Sequence, residues 1–428
     1  MKKTISIFWF RRDLRLHDNH ALHEALKGPF PVLPIFIFDE DILKDLKKDD
    51  PRLTFIYDLL KEITIALEKR SSGLYCLQGT VIQSFKHLIS KFNVHAVYTN
   101  EDYEPYARER DASLGKFLAE QKIELKLYKD QVIFAKDEVL KHDGLPYTVF
   151  TPYKNKWKSG FSQNELEYYD CSTANYAFLP SFLPDLKTLG FDRSTLLVRD
   201  YDLEHINEYA SVRDFPAEDK TSYLSPHLRF GTVSIRELAR SLYQYETFFS
   251  ELIWREFFMQ ILYHYPHVVS RNFRSKYDGI EWRNNSEEFE SWKKGKTGYP
   301  LVDAGMRQLN ESGYMHNRVR MITAGFLCKH LLIDWRWGEA YFAEKLLDYD
   351  LSSNNGNWQW AAGTGCDASP YFRIFNPYTQ QKKFDPDGEY IKKWLPELGT
   401  PVYPKAIVEH TWARQRALDR YKKAISRL

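Results

Sequence analysis

Aromatic rings, amides and charges are crowded into residues 354–380, NNGNWQWAAGTGCDASPYFRIFNPYTQ, and into the helical run before them. Four of the chain's eleven tryptophans lie between residues 314 and 378. Indole rings can stack on a planar molecule while neighbouring amides and charges hold its polar edges. The segment therefore indicates a planar aromatic cofactor, a planar substrate, or both. Any one of these tryptophans alone is more often ordinary core.

A second polar stretch, TSYLSPHLRFG, covers residues 221–231. The hydroxyls of Thr221, Ser222 and Ser225, with Pro226 expected at a helix start, would make a cup of hydroxyls and amides suited to a phosphate. The other interpretation is an ordinary helix cap, because Ser and Thr are common at that position.

Glu251 and Trp254 are three residues apart and so share one face of a predicted helix. A carboxylate beside an indole could hydrogen-bond and stack a nucleobase. The other interpretation is a surface glutamate beside a half-buried tryptophan, because charged side chains are mostly exposed.

A third helical segment, MHNRVRM, places Asn317, Arg320 and Met321 on one face, with Arg318 about a quarter-turn away. We expect Asn317 and Arg320 to point inward from an otherwise apolar helix, where polar groups need partners. Asp348 and Asp350 are the predicted ion-pair partners of Arg320. The sequence leaves open whether such a pair is only structural.

Five short apolar runs predict buried parallel strands, at residues 5–10, 31–38, 74–77, 96–99 and 124–128. Helical patterns alternate with them at residues 53–68, 81–92 and 107–120. This alternation predicts a doubly wound α/β domain with a five-stranded parallel sheet over residues 1–130. No GxGxxG follows the first strand, so we do not expect a dinucleotide bound there in the Rossmann manner.

Residues 131–199 are predicted to form a long connector, because periodicity weakens and prolines recur. Its stretch YTVFTPYKNKW is aromatic enough to pack against other elements. Residues 200–428 are predicted to be all-helical, since strand-like alternation is absent. The helices are expected at residues 233–243, 248–265, 301–312, 315–332, 340–347 and 411–426.

The bulk composition excludes several classes of protein. A net charge of +2 leaves no global cationic field, so any nucleic-acid binding must use a local basic patch. The four cysteines are widely spaced, which argues against structural zinc and disulfides and favours the reducing cytoplasm. The apolar run near the N-terminus is too short for a signal peptide or a membrane span.

These motifs match one known family in order, spacing and residue type. They are RRDLRLHDNHAL, TSYLSPHLRFG, ELIWREF, KTGYPLVDAGMRQL, MHNRVRM, LLIDWR, DYDLSSNNGNWQWAAGTG and YFRIFNP. Over nearly its whole length the chain resembles the DNA photolyase/cryptochrome family, and it is most similar to the class I enzymes that act on cyclobutane pyrimidine dimers. The resemblance implies an antenna-binding α/β domain and a catalytic helical domain that binds FAD and DNA.

The resemblance also implies where a U-shaped FAD is held. The residues that match its phosphate side are Tyr209, Thr221, Ser222, Leu224 and Ser225. Those that match the isoalloxazine and ribityl positions are Asn317, Arg320, Asp348, Asp350 and Asn354. Asn354 matches the residue that faces flavin N5, where a neutral amide tolerates an anionic reduced flavin, and this favours repair over signalling. Phe248 and Tyr314 stand where some relatives have tryptophan, and both keep an aromatic surface.

On the substrate side, Trp254 and Trp360 match the indoles that hold a dimer flipped out of DNA. Glu251 matches the carboxyl that hydrogen-bonds a dimer base, and Asn317 matches a contact to both dimer and flavin. Met321 matches a residue typical of cyclobutane-dimer enzymes. Six-four photolyases instead carry paired histidines near the Asn317 region, a pattern that His316 alone does not reproduce. The positions that match phosphate contacts are Arg213, Arg318 and Arg373.

For the chemistry, the resemblance implies electron donation from photoexcited reduced anionic FAD to the dimer, splitting of its ring, and return of the electron. Trp358, Trp335 and Trp282 match the chain of tryptophans that carries an electron from the surface to the flavin. Trp292 is the nearest competitor for the outermost position.

The antenna chromophore is left open between a deazaflavin, another flavin, a folate and none. Residues 99–111 carry EPY where folate-binding relatives carry their Asn-Glu pair, and so resemble the EPY variants more closely. The expected partner is UV-damaged DNA, with the protein a monomer that does not enter membranes. The alternatives are a blue-light-sensing cryptochrome, a flavin-dependent redox enzyme and a nucleic-acid-binding scaffold without flavin.

Overall fold

The computed structural model describes residues 2–173 and 175–426, so positions 1, 174, 427 and 428 of the predicted domains lie outside the described residues. The strands are β1 (Thr4–Phe10), β2 (Val32–Asp39), β3 (Tyr75–Gly79), β4 (Asn93–Asn100) and β5 (Glu124–Tyr128). The helices are α1 (His20–Leu26), α2 (Glu40–Leu43), α3 (Pro51–Glu68), α4 (Val81–Lys91), α5 (Pro105–Glu120), α6 (Phe150–Gly160), α7 (Tyr209–Val212), α8 (Leu224–Phe230), α9 (Ile235–Leu242), α10 (Glu246–His264), α11 (Ser286–Lys293), α12 (Pro300–Ser312), α13 (Asn317–Gly325), α14 (Trp335–Lys345), α15 (Leu351–Ala362), α16 (Pro377–Phe384), α17 (Glu389–Trp394) and α18 (His410–Ser426).

The chain divides into two compact units, each assembled from separate segments. The first unit comprises Met1–Ala135, Phe161–Tyr201 and Tyr223–Gln244, and the second comprises Lys136–Gly160, Asp202–Ser222 and Tyr245–Leu428.

The first unit is organised around one parallel sheet with the strand order β3-β2-β1-β4-β5. Alternate residues of β1 face opposite sides, as strand geometry requires. Phe8 and Phe10 pack in one cluster with residues of α1 and α3, whereas Ile5 and Ile7 pack in another with residues of α4 and α5. Both faces of the sheet are therefore covered, which explains the continuous apolar runs. The predicted doubly wound five-stranded sheet is confirmed.

The five predicted strands and the four predicted helices of this unit each overlap an observed element. The sequence did not predict α1, because its seven residues are too few to show a repeating pattern. Asn19 caps this helix by accepting a hydrogen bond from the backbone N–H of Leu22 at 3.2 Å.

Helix α6 lies inside the predicted connector, where no helix was predicted. Its Tyr153 and Trp157 are buried in the second unit. The Trp157 ring meets Phe249 edge-on at 5.4 Å, and its indole N–H donates to the Glu256 carboxylate at 2.5 Å. The expectation that this aromatic stretch packs against other elements is confirmed.

The second unit packs α15 against both α10 and α14, and two glycines make this possible. A Cβ at Gly356 would lie 2.1 Å from the ring of Phe258 on α10. A Cβ at Gly338 on α14 would lie 2.1 Å from the ring of Trp358 on α15. Because neither position carries a side chain, the helices approach closely enough to bury these rings.

Several helix boundaries differ from the predictions. Helix α14 begins at Trp335, well before the predicted residue 340, because Asp334 caps it by accepting from the backbone N–H of Arg336 at 3.0 Å. The predicted helix 315–332 begins at Asn317 and passes at Phe326–His330 into a π-helix. The prediction also placed Pro226 at a helix start, but α8 starts at Leu224.

The described residues contain no helix with the length and apolar character needed to cross a membrane. All four cysteines are buried and in the free thiol form.

Candidate functional site

An ion pair joins α13 to the segment before α15. Arg320 donates to the Asp348 carboxylate at 2.9 Å and to the backbone carbonyl of Met315 at 2.7 Å. The predicted pairing of Arg320 with Asp348 is thus observed. The second Asp348 oxygen, Oδ1, is buried and has no hydrogen-bond partner among the described residues. Such an atom needs a donor that the described protein does not supply.

Asp350, the other predicted partner of Arg320, is the N-cap of α15. Its carboxylate accepts from the backbone N–H of Ser353 at 3.1 Å and from the Ser352 hydroxyl. This use follows from its position immediately before a helix, where an aspartate satisfies otherwise unpaired N–H groups.

Asn354 lies one turn into α15 and is buried. Its amide nitrogen donates at 3.1 Å both to the backbone carbonyl of Glu339 and to the Glu339 carboxylate. Burial raises the pKa of Glu339 to about 6, even though the hydrogen bond from Asn354 lowers it. The bond to α14 fixes the direction of the amide and points its carbonyl oxygen away from Glu339.

Asn317 and Met321 lie on α13 with Arg320. Asn317 is the first residue of the helix and is exposed, and the inward direction expected for its side chain stays a prediction. Met321 is half-buried, and its sulfur lies 3.8 Å from the Arg318 guanidinium.

Arg318 is held on three sides. Its guanidinium donates to Asp214 at 2.6 Å and lies over the Phe384 ring at 4.4 Å from the centroid, with the Met321 sulfur beside it. Its Nε is buried without a hydrogen-bond partner among the described residues.

Glu251 on α10 is paired with Arg213 at the end of α7, at 2.6 Å. Burial raises the pKa of Glu251, and the charge of Arg213 offsets only part of that rise. Arg213 also lies over the Tyr209 ring at 5.3 Å, and Tyr209 meets the Phe248 ring edge-on at 5.0 Å. Four predicted site residues therefore lie in one contact group.

Trp254 has one face already covered. The Phe150 ring of α6 stacks on it with centroids 3.6 Å apart and planes 9° apart. A base could therefore stack only on its other face. Trp360, the second indole predicted to hold the dimer, is half-buried against the main hydrophobic cluster of the second unit.

The three predicted electron-transfer tryptophans differ in burial. Trp358 and Trp335 are 2% and 0% exposed, and both lie in the main cluster, whereas Trp282 packs half-buried at its edge. Trp282 meets the Tyr421 ring edge-on at 6.1 Å. The competitor Trp292 is 0% exposed and meets Trp358 edge-on at 6.1 Å.

The remaining predicted residues fall in both units. Thr221 and Ser222 belong to the second unit, and Leu224 and Ser225 to the first. The N-cap of α8 is Tyr223, whose φ is 51°, so none of the three hydroxyl residues caps the helix. Ser225 is exposed and Leu224 buried.

Arg373 is exposed, and a buried lysine holds its backbone. The Lys329 ammonium donates to the Arg373 carbonyl at 3.1 Å. Burial lowers the pKa of Lys329 to about 8. No pattern in the sequence indicates this contact, because Lys329 lies in an apolar helical run.

The residues around Asp348 fit the polar edge of a flavin. The unpartnered Asp348 oxygen can accept from an N–H or O–H group, and the oriented Asn354 amide presents a carbonyl oxygen. FAD carries such donors on its ring and ribityl chain. Four residues that contact predicted site residues were missed from the sequence: Phe150, Asp214, Lys329 and Glu339. Their roles come from tertiary contacts, which no local pattern records.

Two family models match the chain. Residues 6–170 match the model described as DNA photolyase, and residues 248–401 match the FAD binding domain of DNA photolyase. The chain is 36% identical to the deoxyribodipyrimidine photo-lyase of Halobacterium salinarum, over 98% of this chain and 99% of that protein.

Solved structures agree with the family models. A bacterial class III photolyase from Agrobacterium tumefaciens is 32% identical with a TM-score of 0.89, covering 100% of this chain and 98% of that one. An archaeal photolyase from Sulfolobus tokodaii with two FAD molecules is 37% identical, and a Synechocystis cryptochrome is 25% identical. Both have TM-scores of 0.84 and coverages of 98% of this chain and 99% of theirs. The chain belongs to the DNA photolyase family, and its second unit contains that family's FAD-binding domain.

Proposed function

We propose that this protein is a deoxyribodipyrimidine photo-lyase that repairs cyclobutane pyrimidine dimers in UV-damaged DNA with light. The observation that carries the proposal is the Asn354 amide, which two hydrogen bonds from its nitrogen to Glu339 hold in one orientation. A neutral amide at the position that matches flavin N5 suits a reduced, anionic cofactor, whereas an ionised carboxylate would repel it.

On the cofactor side, Arg320 and Asp348 offer a donor and an acceptor to the polar edge of the flavin, and Asn354 offers its carbonyl oxygen. Bound FAD supplies light absorption and the electron that is lent to the dimer and returned, so that no net redox change occurs. The protein's part is to orient the cofactor and to balance its charge in a largely buried site.

On the substrate side, Glu251 is the proposed hydrogen-bonding partner of a dimer base. Burial raises the pKa of Glu251 above its ordinary value, and the charge of Arg213 offsets part of that rise. A protonated carboxyl can donate to a pyrimidine carbonyl and so stabilise negative charge on the base. The face of Trp254 opposite Phe150, with Trp360 and Asn317, would receive the flipped dimer. The DNA phosphates would be contacted by Arg213, Arg318 and Arg373.

The gradient of burial supports Trp358, Trp335 and Trp282 as a path for electrons from solvent. Only the last of the three is half-buried, and an entry point for electrons must approach the surface. Trp292 is 0% exposed and cannot be that entry point. We expect Trp282→Phe to slow photoreduction of bound FAD at least about tenfold, with Trp292→Phe as the matched control.

A second chromophore is proposed for the first unit. Its strands are added on one side of β1 as far as β3 and then on the other side from β4 onward, so the strand order reverses between β1 and β4. In open parallel sheets, ligands bind beside the carboxyl ends of strands at such a point. The likeness to a photolyase with two FAD molecules makes a flavin one candidate, beside a deazaflavin and a folate. The absorbance spectrum of the purified protein distinguishes them. We also propose a monomer, which sedimentation tests.

The decisive experiment illuminates the photoreduced protein with an oligonucleotide that carries one cyclobutane thymine dimer. We expect blue-light-dependent loss of the dimer, followed by recovery of base absorbance. Binding and photoreduction of flavin without dimer loss would contradict repair and favour the cryptochrome function. Glu251→Ala is expected to lower the repair yield per absorbed photon more than the affinity for DNA.

A further inference from the structure

Two consecutive residues after α7, Arg213 and Asp214, are paired with two different helices. Arg213 contacts Glu251 of α10 at 2.6 Å, and Asp214 contacts Arg318 of α13 at 2.6 Å. The four side chains are here called the charge clasp. Their exposed fractions are 27% and 33% in the first pair and 19% and 37% for Arg318 and Asp214. The clasp is therefore within reach of solvent and of a ligand.

The two carboxylates of the clasp neutralise the charges of Arg213 and Arg318, two of the arginines that the proposed function assigns to DNA phosphates. Asp214 is the carboxylate that neutralises Arg318, whose guanidinium is otherwise packed on Phe384 and against the Met321 sulfur. Glu251 likewise neutralises Arg213. A paired arginine has no net charge to offer a phosphate until its carboxylate leaves.

The free-energy cost of breaking the two ion pairs of the clasp differs between undamaged and damaged DNA. On undamaged DNA, Arg213 would exchange one anion for another and leave Glu251 half-buried without a partner, which is costly. On damaged DNA, the dimer base offers Glu251 a new partner. Because Arg213 and Asp214 are adjacent in the chain, a backbone shift that carries Arg213 away from Glu251 would also carry Asp214 away from Arg318.

We infer that Asp214 determines specificity: it withholds Arg318 from undamaged DNA, and the clasp releases both arginines to phosphates only when Glu251 turns to the dimer. This inference rests on the proposed function. Asp214 is a positioning residue, since it acts through Arg318 and Glu251 rather than on the dimer.

The salt dependence of binding tests the inference, because each neutralised phosphate of duplex DNA adds about −0.9 to the slope of log K against log salt. Binding in the dark would be followed by fluorescence anisotropy, over a range of potassium chloride concentrations, on one duplex with and without a single dimer. For the wild type, we expect the slope of log K against log salt to be steeper on damaged than on undamaged DNA, by the contribution of about two neutralised phosphates.

In Asp214→Asn, we expect the slope on undamaged DNA to steepen by about 0.9 and that on damaged DNA to stay unchanged. Affinity for undamaged DNA should rise about two- to fivefold, the range that partly exposed ion pairs contribute. Asp214→Glu keeps the charge and should restore wild-type slopes. Asp219→Asn is the matched control, since Asp219 lies 3.7 Å from Lys393, outside the clasp, and should leave both slopes unchanged.

Equal wild-type slopes on the two duplexes, or an unchanged slope for Asp214→Asn on undamaged DNA, would overturn the inference. If the wild type repairs the dimer under light while these slopes are equal, the inference alone fails. If the wild type neither prefers nor repairs damaged DNA, the proposed function fails as well. Flavin absorbance of each variant confirms that the fold is retained.

Discussion

The two units each contain a cluster of paired charges, but the clusters differ in depth and composition. In the first unit, Arg236 binds the carboxylates of both Asp18 and Asp130, at 3.1 and 2.9 Å, and Arg15 also binds Asp130 at 2.7 Å. All four side chains are 7% exposed or less. In the second unit, each carboxylate of the charge clasp is paired with one arginine and is partly exposed.

The pKa values of carboxyl groups in the two clusters are shifted in opposite directions. Burial raises the pKa of Asp130, but Arg15 and Arg236 more than offset that rise, and its pKa lies below the ordinary value. Burial also raises the pKa of Glu251, and Arg213 alone does not offset it. A carboxylate with two buried arginines is locked in its charged form, whereas one with a single, half-exposed arginine can change partner.

The largest effect is expected from breaking the buried cluster. Arg236→Ala should lower the free energy of unfolding by about 3–5 kcal/mol, because it leaves two buried carboxylates without one of their partners. Chemical denaturation followed by circular dichroism measures the change. A loss below about 1 kcal/mol would show that the buried cluster is as exchangeable as the clasp.

A smaller effect is expected at the flavin site. Asp348→Asn removes the negative charge that holds Arg320 and replaces one of the two acceptor oxygens by an NH2 donor, and should weaken FAD binding about 10- to 100-fold, as loss of a charged hydrogen bond does. Release of flavin on dilution measures it. Asp334→Asn is the matched control, because Asp334 pairs with Arg336 and asparagine caps a helix equally well. Equal flavin release from both variants would contradict this.

Glu339 should give a pH dependence. Its pKa of about 6 lies above its ordinary value of 4.5, so between these values the folded protein keeps a proton that the unfolded chain has lost. The free energy of unfolding should therefore fall as pH rises through this window, by on the order of 1 kcal/mol. Glu339→Gln should abolish that part of the pH dependence, measured from denaturation midpoints at several pH values. The same pH dependence in wild type and variant would exclude Glu339 as its source.

The smallest effect is expected from an exposed pair in the first unit. Arg193 and Asp58 lie 2.6 Å apart, with side chains 52% and 34% exposed. Asp58→Asn should change the free energy of unfolding by less than about 1 kcal/mol, since solvent screens such pairs. When Asp58→Asn and Arg236→Ala are measured in the same denaturation assay, the comparison separates the effect of burying an ion pair from the effect of forming one. A change as large as that of Arg236→Ala would remove depth as the explanation.

Features that depend on local pattern were predictable from the sequence. Every strand of the sheet was predicted, most clearly β1 and β2, which are apolar and buried along nearly their whole length because both faces of the sheet are covered. The pairing of Arg320 with Asp348 was also predictable, because a charge on an otherwise apolar helix requires a partner. The capping role of Asp350 could have been found from its position before α15.

Features that depend on tertiary contacts between residues far apart in the sequence were not predictable. Helix α6 was missed although its buried residues Phe150, Tyr153 and Trp157 have the i, i+3, i+7 spacing of one helix face, because the prolines around it indicated a connector. Asp214 and Glu339 were missed because their partners lie on other helices and nothing near them in the chain indicates the contact. Phe150 covers a face of Trp254 that the sequence left free for a base. Such contacts are set by how the helices cross.

The discontinuous make-up of the second unit has a consequence for its biosynthesis. Its residues 136–160 and 202–222 leave the ribosome before α10, yet Trp157 and Arg213 find their partners on that helix. These contacts close long stretches of chain and must form late, which makes folding slow. For the same reason, a fragment cut at residue 245 would keep most of the helices but lack the partners of Glu251 and Glu256. We expect such a fragment to expose apolar surface on α10 and to aggregate rather than fold.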